Sequence, residues 1–200
     1  MTSPSIRTRG VILEAARTEF AAHGLAGGRV DRIARAAGAN VQRIYAYYSD
    51  KQGLFDAVVL DAAQSLAAAI GSDQADIESF ARTTFDYVVS NPANTRTMTW
   101  ARLEREAEFF SMMDTGITGP TPLSMVATLQ KAGLVTTDWD ATSILEAIVA
   151  LCERWHSSSS AGGRGDIASQ RELVLAFART LATVPTTVAT TAPVYEPTAS

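Results

Sequence analysis

One cysteine, Cys152, and two histidines, His23 and His156, are all that the 200 residues offer to thiol or metal chemistry. A lone thiol closes no internal disulfide, and no Cys/His spacing suits zinc. No uninterrupted apolar stretch of about 18 residues occurs, and the N-terminus carries no apolar signal region. Neither membrane insertion nor secretion is therefore expected, and the chain reads as cytoplasmic. Sustained alternation of apolar and polar residues is missing too, which argues against sheets. Gly162, Gly163 and Gly165 are not followed by the Lys-Ser/Thr pair of a phosphate loop. His156, Ser157 to Ser160 and Asp166 include the residue types of a hydrolytic triad, yet they crowd into one Ser/Gly-rich stretch without a nucleophile elbow. No catalytic residue, metal or cofactor is expected, and a small all-helical enzyme stands only as the alternative.

Charge is unevenly placed. Up to Lys51 the chain holds Arg7, Arg9, Arg17, Arg29, Arg32, Arg35, Arg43 and Lys51 against Glu14, Glu19, Asp31 and Asp50, a formal +4. The net charge of the whole is −4, so the remainder carries −8. Such asymmetry suits a protein that meets polyphosphate at one end, although arginines solvating helix faces would give the same count.

Spacing distinguishes the two. Val30, Ile33, Ala34 and Ala37 fall at i, i+3, i+4 and i+7, one apolar stripe on a short helix. Gly38 ends it, because glycine enters the left-handed C-cap conformation without steric cost. Asn40 follows as an N-cap, and Val41, Ile44 and Tyr48 repeat the apolar spacing. That leaves Gln42, Arg43, Ala46 and Tyr47 facing outward, with Tyr45 on the boundary. Two short helices joined by a glycine-containing turn make a helix-turn-helix, whose second helix enters the major groove. A preceding helix from Ile6 to His23, stopped by Gly24, brings Val11, Ile12, Ala15, Ala16 and Phe20 beneath the pair. Asp50 caps a long following helix through Ile70.

The Phe20–Gly24 helix end, Val30, Ile33-Ala34, Ala37-Gly38, Ile44-Tyr45, Tyr47-Tyr48, Lys51 and Leu54, in that order, resemble the N-terminal domain of the TetR family of bacterial transcriptional regulators. The resemblance implies an all-α homodimer with an N-terminal three-helix DNA-binding domain and a C-terminal helical domain for ligand binding and dimerisation. It implies no enzyme activity. Double-stranded operator DNA and an unknown small-molecule effector are the implied partners. The implied DNA-contacting set is Arg29, Asn40, Val41, Gln42, Arg43, Tyr45, Tyr47 and Lys51. Departures from the family pattern are local: Gly27, Gly28 and Arg29 stand where threonines are usual, and Gln42 and Arg43 where smaller residues are. They point to a divergent operator.

The expected domains are residues 1–50, 51–184 and a disordered Thr/Pro/Ala tail over 185–200. Beyond Gly71 helices start at Asp73 or Asp76 and at Pro92, followed by a Gly/Pro loop over 113–122 and a helix ending at Gly133. Phe85, Tyr87, Trp100, Leu103, Glu104, Phe110, Met113, Met125 and Leu129 form the candidate effector lining, each of them equally explained as ordinary core. A molecule wedged among Trp100, Phe110 and Met125 is the expected inducer geometry. The charged run from Arg102 to Glu108 reads as a solvated face with i, i+4 pairs such as Arg102 to Glu106, Glu104 alone being a candidate to turn inward. The segments 141–156 and 167–183 are apolar on two faces, so each needs cover on two sides. Ile144, Ile148, Leu151, Trp155, Leu173, Phe177 and Leu181 are the candidate dimer seam, and the resemblance implies the same four-helix interface. A DNA-binding dimer with a filled core and no ligand response fits the residues as well.

Overall fold

The first helix buries Ile12, Ala16 and Phe20 of the expected stripe, while Ala15 is half-buried and Val11 is exposed. In the computed structural model, which describes residues 4–72, 74–159 and 166–183, this helix, α1 (Pro4–Gly27), passes the expected stop with a break. Gly24 stands at φ 65 and ψ −172, and one more turn follows it. α2 (Val30–Ala37) ends on Gly38 at φ 59 and ψ 31, the left-handed cap expected of a glycine there. The next helix, α3 (Val41–Tyr48), begins where the Arg43 N–H donates to Asn40 Oδ1 at 2.7 Å. Asp50 caps α4 (Lys51–Ile70) through the Gly53 N–H at 2.7 Å. Between α3 and α4, Ser49 is forced to φ 58 and ψ −57, and the Asp50 N–H closes onto the Tyr48 carbonyl at 2.6 Å. This γ-turn is a strained conformation for a residue with a Cβ.

Downstream, Asp76 caps α5 (Ile77–Ser90), and Pro92 opens α6 (Pro92–Glu104), as the sequence predicts. The expected continuous helix through Phe110 is instead broken at Arg105, where α7 (Glu106–Thr115) starts. α8 (Pro122–Lys131) carries a reciprocal Thr121/Ser124 capping box. α9 (Ala141–Ser159) runs past the expected start of the Ser/Gly loop at Ser157, and α10 (Ile167–Leu181) is capped by Asp166. Residues 160–165 of that loop and the tail from 185 lie outside the described residues.

Two hydrophobic cores result. One gathers Ile12, Phe20, Ile33, Ile44 and Tyr48 around Leu54, Phe55, Val58 and Val59 of α4, and is completed by Ala101 and Phe109. Phe20 meets Phe55 edge to face at 5.0 Å between ring centroids. The other packs Leu66 and Ile70 of α4 with Phe80, Phe85, Met125, Val126, Ile148, Val174 and Ala178. α4 thus threads both cores. It is also long and apolar enough, at a mean hydropathy of 1.5, to cross a membrane by composition, although Asp56, Asp61 and Gln64 interrupt its apolar run. Half of that window is buried inside the fold, and Asp56 and Asp61 on it are ion-paired, which is how the core helix of a globular domain reads.

Candidate nucleic-acid interface

Ile44 and Tyr48 turn α3 inward, and Val41 is half-buried. Gln42, Arg43, Tyr45 and Ala46 are left exposed. Tyr47 lies further inward than expected, half-buried and edge-on to Tyr48 at 6.3 Å. Asn40 spends its side-chain oxygen on the cap of α3. Lys51, placed by the sequence among free phosphate contacts, is half-buried and donates to the Ala26 carbonyl at 3.2 Å, tying the start of α4 to the end of α1. Arg29 is exposed and 3.6 Å from Asp31.

Beneath this surface Glu19 holds α1 and α2 together, accepting from Arg32 at 2.8 and 2.6 Å and from the Arg29 N–H at 2.9 Å. Partial burial pushes its carboxyl up, but the Arg32 hydrogen bond, the Arg29 N–H and the Arg32 charge outweigh that, and its pKa falls below the ordinary carboxylate value. Among the described residues Arg35 and Arg43 enter no ion pair, so both are available to phosphate or base. The sequence reading passed over Arg35; its exposed place beside an apolar stripe was the signal that could have found it.

The charged run on α6 and α7 keeps Glu104, Glu106 and Glu108 exposed, as expected, but its arginines pair with other helices. Arg102 pairs with Glu153 of α9 at 2.8 Å rather than with Glu106, because the helix break at Arg105 removes the i, i+4 geometry. Arg105 pairs with Asp56 of α4. Burial raises the Asp56 carboxyl above its ordinary value, more than the neighbouring guanidinium lowers it. Glu104 does not turn inward; it stays exposed and reaches back to α1, where it accepts from the Leu25 N–H at 2.7 Å and the Ala26 N–H at 3.4 Å. Its carboxylate caps the short turn that follows Gly24. The Trp100 ring lies against the same glycine, where a Cβ would come within 2.9 Å of it and within 2.7 Å of Glu104 Oε1. Trp100 and Glu104 therefore clasp the end of α1 from α6.

The other candidate effector residues are dispersed. Phe85, Tyr87, Met125 and Leu129 are buried in the C-terminal core. Trp100 and Met113 pack against the N-terminal one. Leu103 and Phe110 are exposed, by 72% and 40%. Trp100, Phe110 and Met125 do not frame a common cavity, since one belongs to each core and the third faces outward. A cleft of about 430 Å³ opens elsewhere, between the end of α4 and the loop before α8, lined by Gln64, Ala67, Gly71, Ile117 and Pro120.

The seam residues also divide. Ile144, Ile148 and Leu181 point into the subunit core, at 2%, 0% and 7% exposure. Their burial is complete without a partner. Leu151 and Phe177 are half-buried and Leu173 is 53% exposed, so the outward apolar face is narrower than expected. The side chains of Trp155 and His156 lie outside the described residues. Cys152 is fully buried; burial above all, with Glu153 and Asp86, pushes its thiol up to about 12, the mark of a packing residue rather than a redox sensor.

Residues 12–58 match the family model for bacterial regulatory proteins of the tetR family, and residues 76–180 that for the tetracycline repressor-like C-terminal domain. The HTH-type transcriptional repressor SCO4008 of Streptomyces coelicolor is 43% identical over 97 residues, 48% of this chain and 50% of that protein. The matched region thus spans about half the length of that relative. Among solved structures, SCO4942 of Streptomyces coelicolor superposes with a TM-score of 0.69 at 28% identity, over 88% of this chain and 98% of that one. The fatty acid degradation regulator FadR of Bacillus halodurans gives 0.66 at 16% identity over 84% and 96%, a likeness of fold alone.

Proposed function

Since the chain belongs to the TetR family of bacterial transcriptional regulators, we propose that it is a homodimeric repressor that holds a palindromic operator and is released from it by a small apolar or amphipathic molecule. The observation that carries this reading is the pairing of an exposed Gln42, Arg43 and Tyr45 on α3 with a clasp from α6 onto the same module.

Each part has a physical role. The Arg43 guanidinium suits guanine O6 and N7, and the Gln42 carboxamide suits adenine N6 and N7. Arg29, Arg35, Tyr45 and Tyr47 hold phosphates, which set position rather than sequence. Lys51 fixes the angle between α1 and α4 while its remaining N–H groups stay available to phosphate. Leu151, Leu173 and Phe177 meet their counterparts across the twofold axis. The dimer then presents two α3 helices to successive major grooves only when they lie roughly 34–36 Å apart. An effector that binds a spread state more tightly shifts the population to it, and operator DNA must weaken effector binding by the same factor. α6 is the element that carries such a shift, because Trp100 and Glu104 connect it to α1 directly.

Selection of bound DNA from a random pool tests the first half. A palindromic consensus is expected, and a pool with no enriched sequence overturns the repressor reading. Ligands are then scored by release of the selected DNA, and titration with and without saturating operator must give different ligand affinities.

A further inference from the structure

The buried face of α6 is mostly polar. Its buried residues are Asn94, Thr95, Thr97 and Ala101, three of them polar. The neighbouring α4 buries Leu, Phe, Val, Ile and Ala instead. Thr95, Thr97 and Thr99 return their hydroxyls to the carbonyls of Asn91, Ala93 and Thr95 at 3.2, 2.9 and 3.0 Å, which satisfies them locally. Asn94 is different. It is 7% exposed, and its Nδ2 donates to the Tyr87 hydroxyl at 2.7 Å, which in turn donates to the Ala62 carbonyl of α4 at 3.1 Å. Its Oδ1 meets no donor. Turning the amide over does not cure this. The oxygen would then accept from Tyr87, Ala62 would lose the phenol, and the amide N–H groups would face the interior in place of one oxygen. A buried acceptor without a donor costs stability, so the fold itself gives no reason to keep one.

We propose that Asn94 Oδ1 is the polar anchor of the effector site, accepting a hydrogen bond from a hydroxyl or amide N–H on an otherwise apolar organic molecule that enters where α4, α5 and α6 meet. This rests on the reading of the chain as a ligand-released repressor and adds the chemistry of the inducer. An ether or a carboxylate on the same skeleton is rejected, because each would set acceptor against acceptor. The anchor sits near the N-terminal end of α6, which is joined to α5 through Tyr87. Asn91, at the N-cap, makes no capping bond and sends its Nδ2 back to the Tyr87 carbonyl at 2.9 Å. The far end is held by Arg102 and Glu104, with Arg105 just beyond it. A molecule bonded to Asn94 displaces this end of the helix, and the helix carries the displacement to Trp100 and the clasp on α1.

The test uses the full chain, its selected operator fragment, and a panel of apolar alcohols and primary amides, each paired with its O-methyl or N,N-dimethyl counterpart. Operator release and thermal shift are read for the wild type and for Asn94→Leu. Donor-bearing members should act at concentrations about tenfold lower than their methylated counterparts, the scale of one well-made hydrogen bond. In Asn94→Leu that preference should vanish, with operator affinity retained and the melting temperature no lower than wild type. Equal action of paired members on the wild type, a panel in which no donor-bearing member acts, or an unchanged preference in Asn94→Leu each overturns the proposal. So does a melting temperature several degrees lower in the variant, which would make Asn94 a structural residue. The thermal-shift arm needs no DNA, so failure to find an operator overturns the repressor reading and leaves the donor preference to be judged separately.

Discussion

Replacing Gly24 with alanine tests the clasp between α6 and the N-terminal module. At φ 65 and ψ −172 the backbone occupies a region that essentially only glycine enters, at a cost of about 1–3 kcal/mol for any other residue. The added methyl would also lie 2.9 Å from two carbons of the Trp100 ring and 2.7 Å from Glu104 Oε1. The carboxylate can swing aside. The indole cannot, being packed against the N-terminal core, and overpacking of that kind costs about 1–3 kcal/mol. Taking the lower half of each range gives about 3 kcal/mol for Gly24→Ala. For a chain of this size each kcal/mol moves the melting temperature by about 2–4 °C, so a fall of about 6–12 °C is expected by calorimetry. Trp100→Ala should cost about 1 kcal/mol less in the Gly24→Ala background than in the wild type, because the ring overlap is relieved while the dihedral cost persists, a coupling that a double-mutant cycle isolates. Gly24→Ala within about 0.5 kcal/mol of wild type would refute the reasoning, because neither the strain nor the overlap could then be real.

Arg43→Ala should cost about 1–3 kcal/mol of operator affinity and relax preference at one position, whereas Arg35→Ala should weaken all sequences alike and reduce the salt slope by about 1. Binding across an operator library at two salt concentrations separates them, and an unchanged sequence preference in Arg43→Ala removes it from base reading. Leu173→Asp should yield folded monomer by sedimentation, while Ile148→Asp, which charges the subunit core, should yield unfolded protein; a fully dimeric Leu173→Asp moves the seam elsewhere. Ser49→Gly should raise stability by about 0.5–1 kcal/mol in urea denaturation by relieving the γ-turn at φ 58, and a lower midpoint would show that the Ser49 hydroxyl outweighs the strain.

What the sequence revealed depended on the distance over which each feature is encoded. Gly38, Asn40, Asp50 and Asp76 mark their helix ends through bonds to residues a few positions away and Pro92 through its fixed φ and missing N–H, and each is found where local rules place it. The run from Arg102 to Glu108 was misread because its partners are remote. Glu153 lies 51 residues from Arg102, Asp56 lies 49 from Arg105, and the Leu25 N–H lies 79 from Glu104. Periodicity shows that a helix has two apolar faces but not which one turns inward, so Ile148 and Leu173 looked alike before the fold separated them. The effector lining was sought among aromatic and methionine side chains, which the two cores absorbed. Asn94 escaped notice because an asparagine after Asn91-Pro92 reads as helix-start chemistry, and only its burial reveals the unpaired oxygen.

The way α4 threads both cores bears on how such proteins can be recombined. Leu54, Phe55, Val58 and Val59 follow the expected boundary at residue 50, yet they belong to the core beneath α3, and Ala101 and Phe109 complete it from later in the chain. A reading head transplanted at residue 50 would arrive without half its floor, and one cut after Ile70 would still expose the patches that Ala101 and Phe109 cover. Exchange of DNA specificity between chimeras must therefore keep α6 and α7 compatible with the incoming head, so the C-terminal helices constrain which operators a descendant can acquire.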